Sequence, residues 1–214
     1  MGREITVNKT YVAFALMFAS AAFAGNKKDV DQTVFGLHLG DKFSVPECAR
    51  EKSSSGLLDR YKGGDPSLCF RLDAYELLSH FVPPDTPVLN NQQIKLDFAK
   101  GVTEMTLNVS AKIIDGNFEG VLIITSGLKS QDELLTMLRE KYGDPSDFQE
   151  EKKETAGGGV FESHLAIWRF DNFVVTFGGT ADRTDSGFIA IETKKQQEFV
   201  RAWREKRNAV APKL

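Results

Sequence analysis

The chain has 214 residues, with 27 Lys+Arg against 30 Asp+Glu, a net charge of −3 and 41% apolar residues. That balance belongs to an ordinary globular protein and excludes a disordered or fibrous chain. A slightly acidic chain without a long basic run argues against nucleic acid as the partner.

Arg3 and Lys9 precede a nine-residue apolar stretch, Tyr11–Ala19, too short to span a bilayer. Ala22-Phe23-Ala24 fits the small-x-small cleavage rule. The expectation is a secretory signal peptide over residues 1–24, cut after Ala24, and a periplasmic or secreted protein. Gly25 rather than Cys follows the cut, which disfavours a lipid anchor. No later apolar run approaches the length of a membrane span, so no transmembrane segment is expected and the mature chain is read as soluble.

The exported portion divides into an N-terminal α+β half, 25–126, and a C-terminal helix–hairpin half, 127–214. Ser44-Val45-Pro46-Glu47 has the spacing of a capping box, Ser followed three residues later by Glu. Pro46 would fall in the first turn, where its missing N–H costs little. This predicts a short helix, about Val45 to Lys52, carrying Cys48. Cys48 and Cys69 are the two cysteines of the chain. In an oxidising compartment such a pair bonds, and a loop of this length gives about 3 kcal/mol of stabilisation. Two buried free thiols are the alternative. The cysteines have no second pair and no nearby histidine, so no metal site is expected.

Period-2 alternation follows. Ile94, Leu96 and Phe98 alternate with Lys95 and Asp97, and Met105, Leu107, Val109 and Ala111 with Thr106, Asn108 and Ser110. Each pattern predicts a strand with one buried and one wet face. Asp115-Gly116 is a hairpin turn signal, joining the second strand to the denser run Val121–Thr125, read as central.

Ser130-Gln131-Asp132-Glu133 is the second capping box. Leu134, Leu135, Leu138 and Tyr142 form one apolar stripe, and Gly143 and Pro145 stop the pattern. The helix is placed at 131–142. Gln149–Glu154 and the triplet Gly157–Gly159 read as a flexible polar loop. A strand rather than a helix follows the glycines, which disfavours a phosphate loop. Asp171-Asn172 joins Val160–Phe170 to Phe173–Phe177, and Phe188–Ile191 supplies a further strand. Thr193-Lys194-Lys195-Gln196 opens a C-terminal helix to about Arg207, with Phe199, Val200 and Trp203 as its apolar stripe.

Single helices followed by runs of strands mean an α+β fold, with antiparallel sheets and a few helices packed on one face. A faint echo, Gly36-Leu37 against Gly127-Leu128 and Arg50-Glu51-Lys52 against Arg139-Glu140-Lys141, hints at two similar helix-then-sheet halves.

With a two-residue turn at Asp171-Asn172, Trp168 faces Val175 and Ala166 faces Phe177, giving one aromatic and aliphatic core face. The other face carries Leu165, Ile167, Arg169 and Thr176. These four are the candidate binding residues for a protein partner, because a partly apolar sheet face with an arginine suits protein contact. Packing against the other half of the chain is the competing use. A one-residue slip in the turn would exchange the two faces.

Gly127–Phe177 reads Gly-Leu-x-Ser-x-x-Glu-Leu-Leu-x-x-Leu, then Tyr-Gly-x-Pro, then Trp168-x-Phe170 and Val175-x-Phe177. This resembles the helix–hairpin module of the β-lactamase-inhibitor-protein-like fold, shared with small outer-membrane assembly lipoproteins. It also resembles uncharacterised exported proteins of Gram-negative bacteria. The resemblance covers about a quarter of the chain and implies protein binding rather than catalysis. The chain departs from the lipoproteins in lacking a lipidation cysteine, and from the compact module in its long Asp144–Gly159 connection.

The catalytic and cofactor signatures Gly-x-Ser-x-Gly, His-Glu-x-x-His, Cys-x-x-Cys and Gly-x-Gly-x-x-Gly are absent. No cofactor is expected and the chain is not read as an enzyme. Asp182 and Asp185 lie in a turn-rich loop that lacks the full calcium-loop spacing. The working expectation is therefore an exported, non-catalytic adaptor or inhibitor-like protein. Two alternatives remain: a small hydrolase pairing His164 or His38 with a carboxylate, and an envelope component docking through its basic C-terminal helix. A solvated helix over an ordinary core contact is the plainer account of that helix.

Overall fold

The computed structural model describes residues 30–52, 59–61, 68–71, 92–97, 105–154 and 157–210. The expected leader, 1–24, its cut and Phe98 of the first alternating pattern lie outside the described residues. The elements are β1 (Thr33–Val34), β2 (Leu37–His38), β3 (Arg50–Lys52), β4 (Asp59–Tyr61), β5 (Cys69–Arg71), β6 (Gln92–Asp97), β7 (Thr106–Ile114) and β8 (Asn117–Thr125). A 3-10 turn at Gly127–Lys129 leads into α1 (Gln131–Tyr142), β9 (Asp147–Glu154), β10 (Val160–Arg169), β11 (Phe173–Gly178), β12 (Gly187–Thr193) and α2 (Lys194–Val210).

The fold is α+β with antiparallel pairing. One eight-stranded sheet has the order β5-β6-β7-β8-β12-β11-β10-β9, and β1-β2 and β3-β4 form two small ribbons. Each half of the chain gives the large sheet four consecutive strands, and the two meanders meet through their last strands, β8 and β12. Asp115 and Gly116, at φ 51° and 78°, make the tight β7–β8 turn. Two successive left-handed residues match the twist of the flanking strands.

One sheet face holds the core. Ile94, Ala111, Val121, Ile191, Val175, Phe177, Ala166 and Trp168 are all buried on it. In α1, Leu134, Leu135, Leu138 and Tyr142 are buried, and the Tyr142 ring lies 5.8–6.4 Å from the rings of Trp168, Phe170 and Phe173. Trp168 Nε1 donates to Gly143 O at 2.7 Å, tying the helix end to β10. Gly143 adopts φ 78° and its N–H closes on Arg139 O at 2.8 Å, so the expected glycine stop holds. Cys48 and Cys69 are disulfide-bonded, as expected.

Four local expectations are corrected. Val45–Lys52 is not a helix. Cys48 N–H donates to Phe70 O and Phe70 N–H to Pro46 O, both at 2.9 Å, and Glu47 bridges Phe70 in parallel. The ladder and the disulfide hold this segment extended beside β5, where the missing N–H of Pro46 is harmless; tertiary pairing outweighs the weak capping signal. Ser130 makes no capping hydrogen bond; its Oγ donates back to Gly127 O at 3.3 Å. Gln149–Glu154 belongs to β9, an edge strand paired along its length with β10. Its Lys and Glu side chains suit a sheet edge exposed to water. Leu107 turns outward, 61% exposed, because the register shifts between Thr106 and Asn108. A bulge inserts one residue and resets the alternation.

Candidate functional site

The turn at Asp171-Asn172 delivers the expected register. Ala166 pairs with Phe177, Ile167 with Thr176, Trp168 with Val175, and Arg169 with Val174. The structure therefore brings Leu165, Ile167, Arg169 and Thr176 onto the sheet face opposite the core. Leu165, Ile167 and Thr176 are half-buried and Arg169 is exposed.

Following the pairings across β8, β12, β11 and β10 lays out three rows on this face. The first runs Ile124, Phe188, Gly178, Leu165; the second Leu122, Ala190, Thr176, Ile167; the third Gly120, Glu192, Val174, Arg169. Ile124, Leu122, Phe188, Ala190 and Val174 are half-buried, while their strand neighbours Ile123, Val121, Ile189, Ile191 and Val175 are buried in the core. The Phe188 ring occupies the space a side chain at Gly178 would need. Sequence reading found the β10 and β11 members of the patch but missed those from β8 and β12. The alternation in Val121–Thr125 and Phe188–Ile191 is masked because both of its phases are apolar.

Charge closes one end. A side chain at Gly120 would come within 2.7 Å of Ile191 O, so the position stays bare. Lys112 and Glu192 flank it from the neighbouring strands. Burial pushes the Glu192 carboxyl above its ordinary range, opposed by the charges of Lys112 and Arg204. Burial likewise pushes the Lys112 ammonium down, opposed by Glu192. Gln197 Nε2 donates to Glu192 O at 3.2 Å, so α2 reaches this end of the sheet. At the far corner Arg169 Nε lies 3.1 Å from Asp147 Oδ2.

His164 lies on the other face. It is half-buried beside α1 and β9, with Nδ1 3.6 Å from Asp132 Oδ1 and Nε2 3.7 Å from Glu150 Oε1. Its main-chain N–H donates to Gln131 Oε1 at 2.9 Å, and Gln131 Nε2 donates to Glu162 O at 3.2 Å. Gln131 thus clamps α1 to β10. Both carboxylates are beyond hydrogen-bond reach of the ring. His38 is exposed, 3.7 Å from Asp41. Asp185 is engaged by Arg183 through bonds of 2.9 and 2.6 Å, which hold its carboxyl below the usual range. These two line an open cleft of about 430 Å³ with Lys153, Glu154, Phe161 and Asp182. The Sγ atoms of Cys48 and Cys69 approach the Asp97 carboxylate, but the disulfide consumes both thiolates.

No protein-family model, curated protein or solved structure matches the chain.

Proposed function

We propose that this is an exported protein that works by binding a protein partner through the sheet face opposite its core, without catalysis. One observation carries the reading: the half-exposed apolar patch runs without a break across four adjacent strands, from Ile124 to Ile167, and ends at the exposed Arg169. Strands about 4.8 Å apart and same-face residues about 7 Å apart give the three rows a footprint of roughly 400 Å², about two-thirds of it in the two apolar rows. That footprint is about half of one partner's share in a standard interface. A reversible contact that also recruits the charged rim fits the area. Lys112, Glu192, Arg169 and Asp147 then set orientation and partner choice.

Export rests on the leader pattern of residues 1–24, and the Cys48–Cys69 disulfide belongs with an oxidising compartment. Among the described residues, no helix is long and apolar enough to cross a membrane. The resemblance of Gly127–Phe177 to protein-binding modules points the same way.

The test is site-specific photocrosslinking in the native envelope. A photoreactive residue at Thr176 should give a discrete adduct, and one at Met137, exposed on α1, should not. Arg169→Glu should then cut the Thr176 adduct about tenfold while the fold is kept. Identical adducts from both sites, or an adduct indifferent to Arg169, would refute the proposal.

A further inference from the structure

The face that carries the patch continues past β8. Leu122 pairs with Ser110 on β7, Ser110 with Lys95 on β6, and Lys95 with Arg71 on β5. Directly paired residues share one face of a sheet. Ile94 and Leu96, on either side of Lys95 along the strand, are buried in the core, so Lys95 points the other way and is exposed. It stands two strands, about 10 Å, beyond Leu122. The other cations beside the patch have carboxylates to meet. Arg71 is ion-paired with Asp97 and Arg169 with Asp147, and Lys112 and Arg204 both act on Glu192. Among the described residues, no carboxylate engages Lys95. Asp97, on the same face of β6, is taken by Arg71. Arg71 lies directly opposite Lys95, and Lys112 lies on the diagonal, opposite Gln93. Like charges directly opposite one another destabilise a sheet, so this register works against the isolated fold.

We infer that a carboxylate of the protein partner comes to rest on Lys95, so that the partner's surface is apolar opposite β8 to β10 and acidic opposite β6. The inference rests on the binding face proposed above and adds the partner's chemistry to it. An acid from outside offsets the repulsion that Lys95 meets from its cationic neighbours in the free protein. A charge that answers an unmatched charge sets orientation and speeds encounter more than it adds raw affinity. Lys95 is exposed, so it meets that acid without the desolvation cost of a buried ion pair. The apolar rows begin about 10 Å away, and a small anion would engage the lysine alone. A protein surface that bears apolar side chains and an Asp or Glu covers both.

The full chain in the native envelope, with the photoreactive residue at Thr176, provides the test. Lys95→Glu should cut the Thr176 adduct about tenfold. Lys95→Arg should keep it, and Lys95→Gln should flatten its dependence on salt. A water-soluble carbodiimide joins an amine to a carboxylate in direct contact. It should link Lys95 to an Asp or Glu of the same partner, located by mass spectrometry, and the link should vanish in Lys95→Arg. Near-ultraviolet circular dichroism of each purified variant confirms that it is folded. A Thr176 adduct that Lys95→Glu leaves unchanged, or a captured partner that forms no carbodiimide link to Lys95, would overturn this inference alone. The absence of any Thr176 adduct would overturn the binding face and this inference with it.

Discussion

Ala166 and Ile167 are neighbours on β10, one on each face of the sheet, and the same substitution at both tests the face assignment on which the binding surface depends. Ala166 is fully buried on the core face, opposite Phe177 and next to Trp168 along the strand. An aspartate there puts a carboxylate into an apolar interior with no partner. Such a group ionises at a cost of several kcal/mol or stays protonated and unpaired at about 1–3 kcal/mol, with overpacking added. Ala166→Asp should therefore lose about 3–5 kcal/mol, a large share of the 5–15 kcal/mol that holds a domain folded. Ile167 is half-buried on the opposite face. Ile167→Asp leaves its carboxylate in water and gives up β-propensity and part of one aliphatic side chain, about 1–2 kcal/mol. For a chain of this size each kcal/mol moves Tm by about 2–4 °C. Thermal unfolding followed by circular dichroism should show a drop of about 6–20 °C for the first variant and 2–8 °C for the second. Partner capture should be lost in Ile167→Asp while it remains folded. Equal drops, or a larger drop for Ile167→Asp, would mean the faces are exchanged and the patch is core.

Two further outcomes follow from the packing. Burial in the α1 stripe, with a smaller contribution from Asp31, pushes the Tyr142 phenol up to about 12, against about 10 in the unfolded chain. Between those values the unfolded state binds fewer protons, so stability falls as pH rises through the window, by at most about 2–3 kcal/mol. Denaturant unfolding from pH 9 to 12 should show that slope reduced in Tyr142→Phe; an unchanged slope would count against burial of the phenol. Reducing Cys48–Cys69, 21 positions apart, frees a loop worth about 3 kcal/mol. It should lower Tm by about 6–12 °C, and an unaltered Tm would show that the bond staples nothing.

Repeating signals decide an element by themselves, whereas an isolated motif decides it only where tertiary pairing agrees. The α1 stripe repeats over three turns, and the β10–β11 hairpin has both a two-residue turn and faces of different chemistry, so helix, register and faces all follow from the residues. The Thr193 cap also holds, with Gln196 N–H donating to its Oγ1 at 3.2 Å. That hydroxyl also donates to the buried Glu119 carboxylate at 2.5 Å. By contrast, Ser44–Glu47 is one local motif, and the partners that override it, Phe70 and Cys69, lie more than twenty residues away. Gln149–Glu154 is polar on both faces, and such a strand is visible only through its neighbour. The β8 and β12 share of the patch was illegible for the opposite reason: apolar residues on both faces erase the period.

An apolar sheet face in water invites aggregation as readily as specific binding, and the distribution of charge decides between them. Addition of a foreign strand needs a free edge. On the β9 side that edge carries Glu150, Glu151, Lys152, Lys153 and Glu154, a run of charges that disfavours edge pairing. Strand addition from that side is therefore disfavoured, and the apolar residues are reached only by approach perpendicular to the sheet. There the charges stand at one end of the patch, Glu192 with Lys112 and Arg169 with Asp147, while the two rows from Ile124 to Leu165 and from Leu122 to Ile167 carry none. A two-fold-related copy would set this rim either against the same mixed charges or on the uncharged rows. A partner with its own charges at one end of an apolar surface meets both parts at once. The contrast between a guarded edge and an unguarded face separates a docking surface from an exposed core.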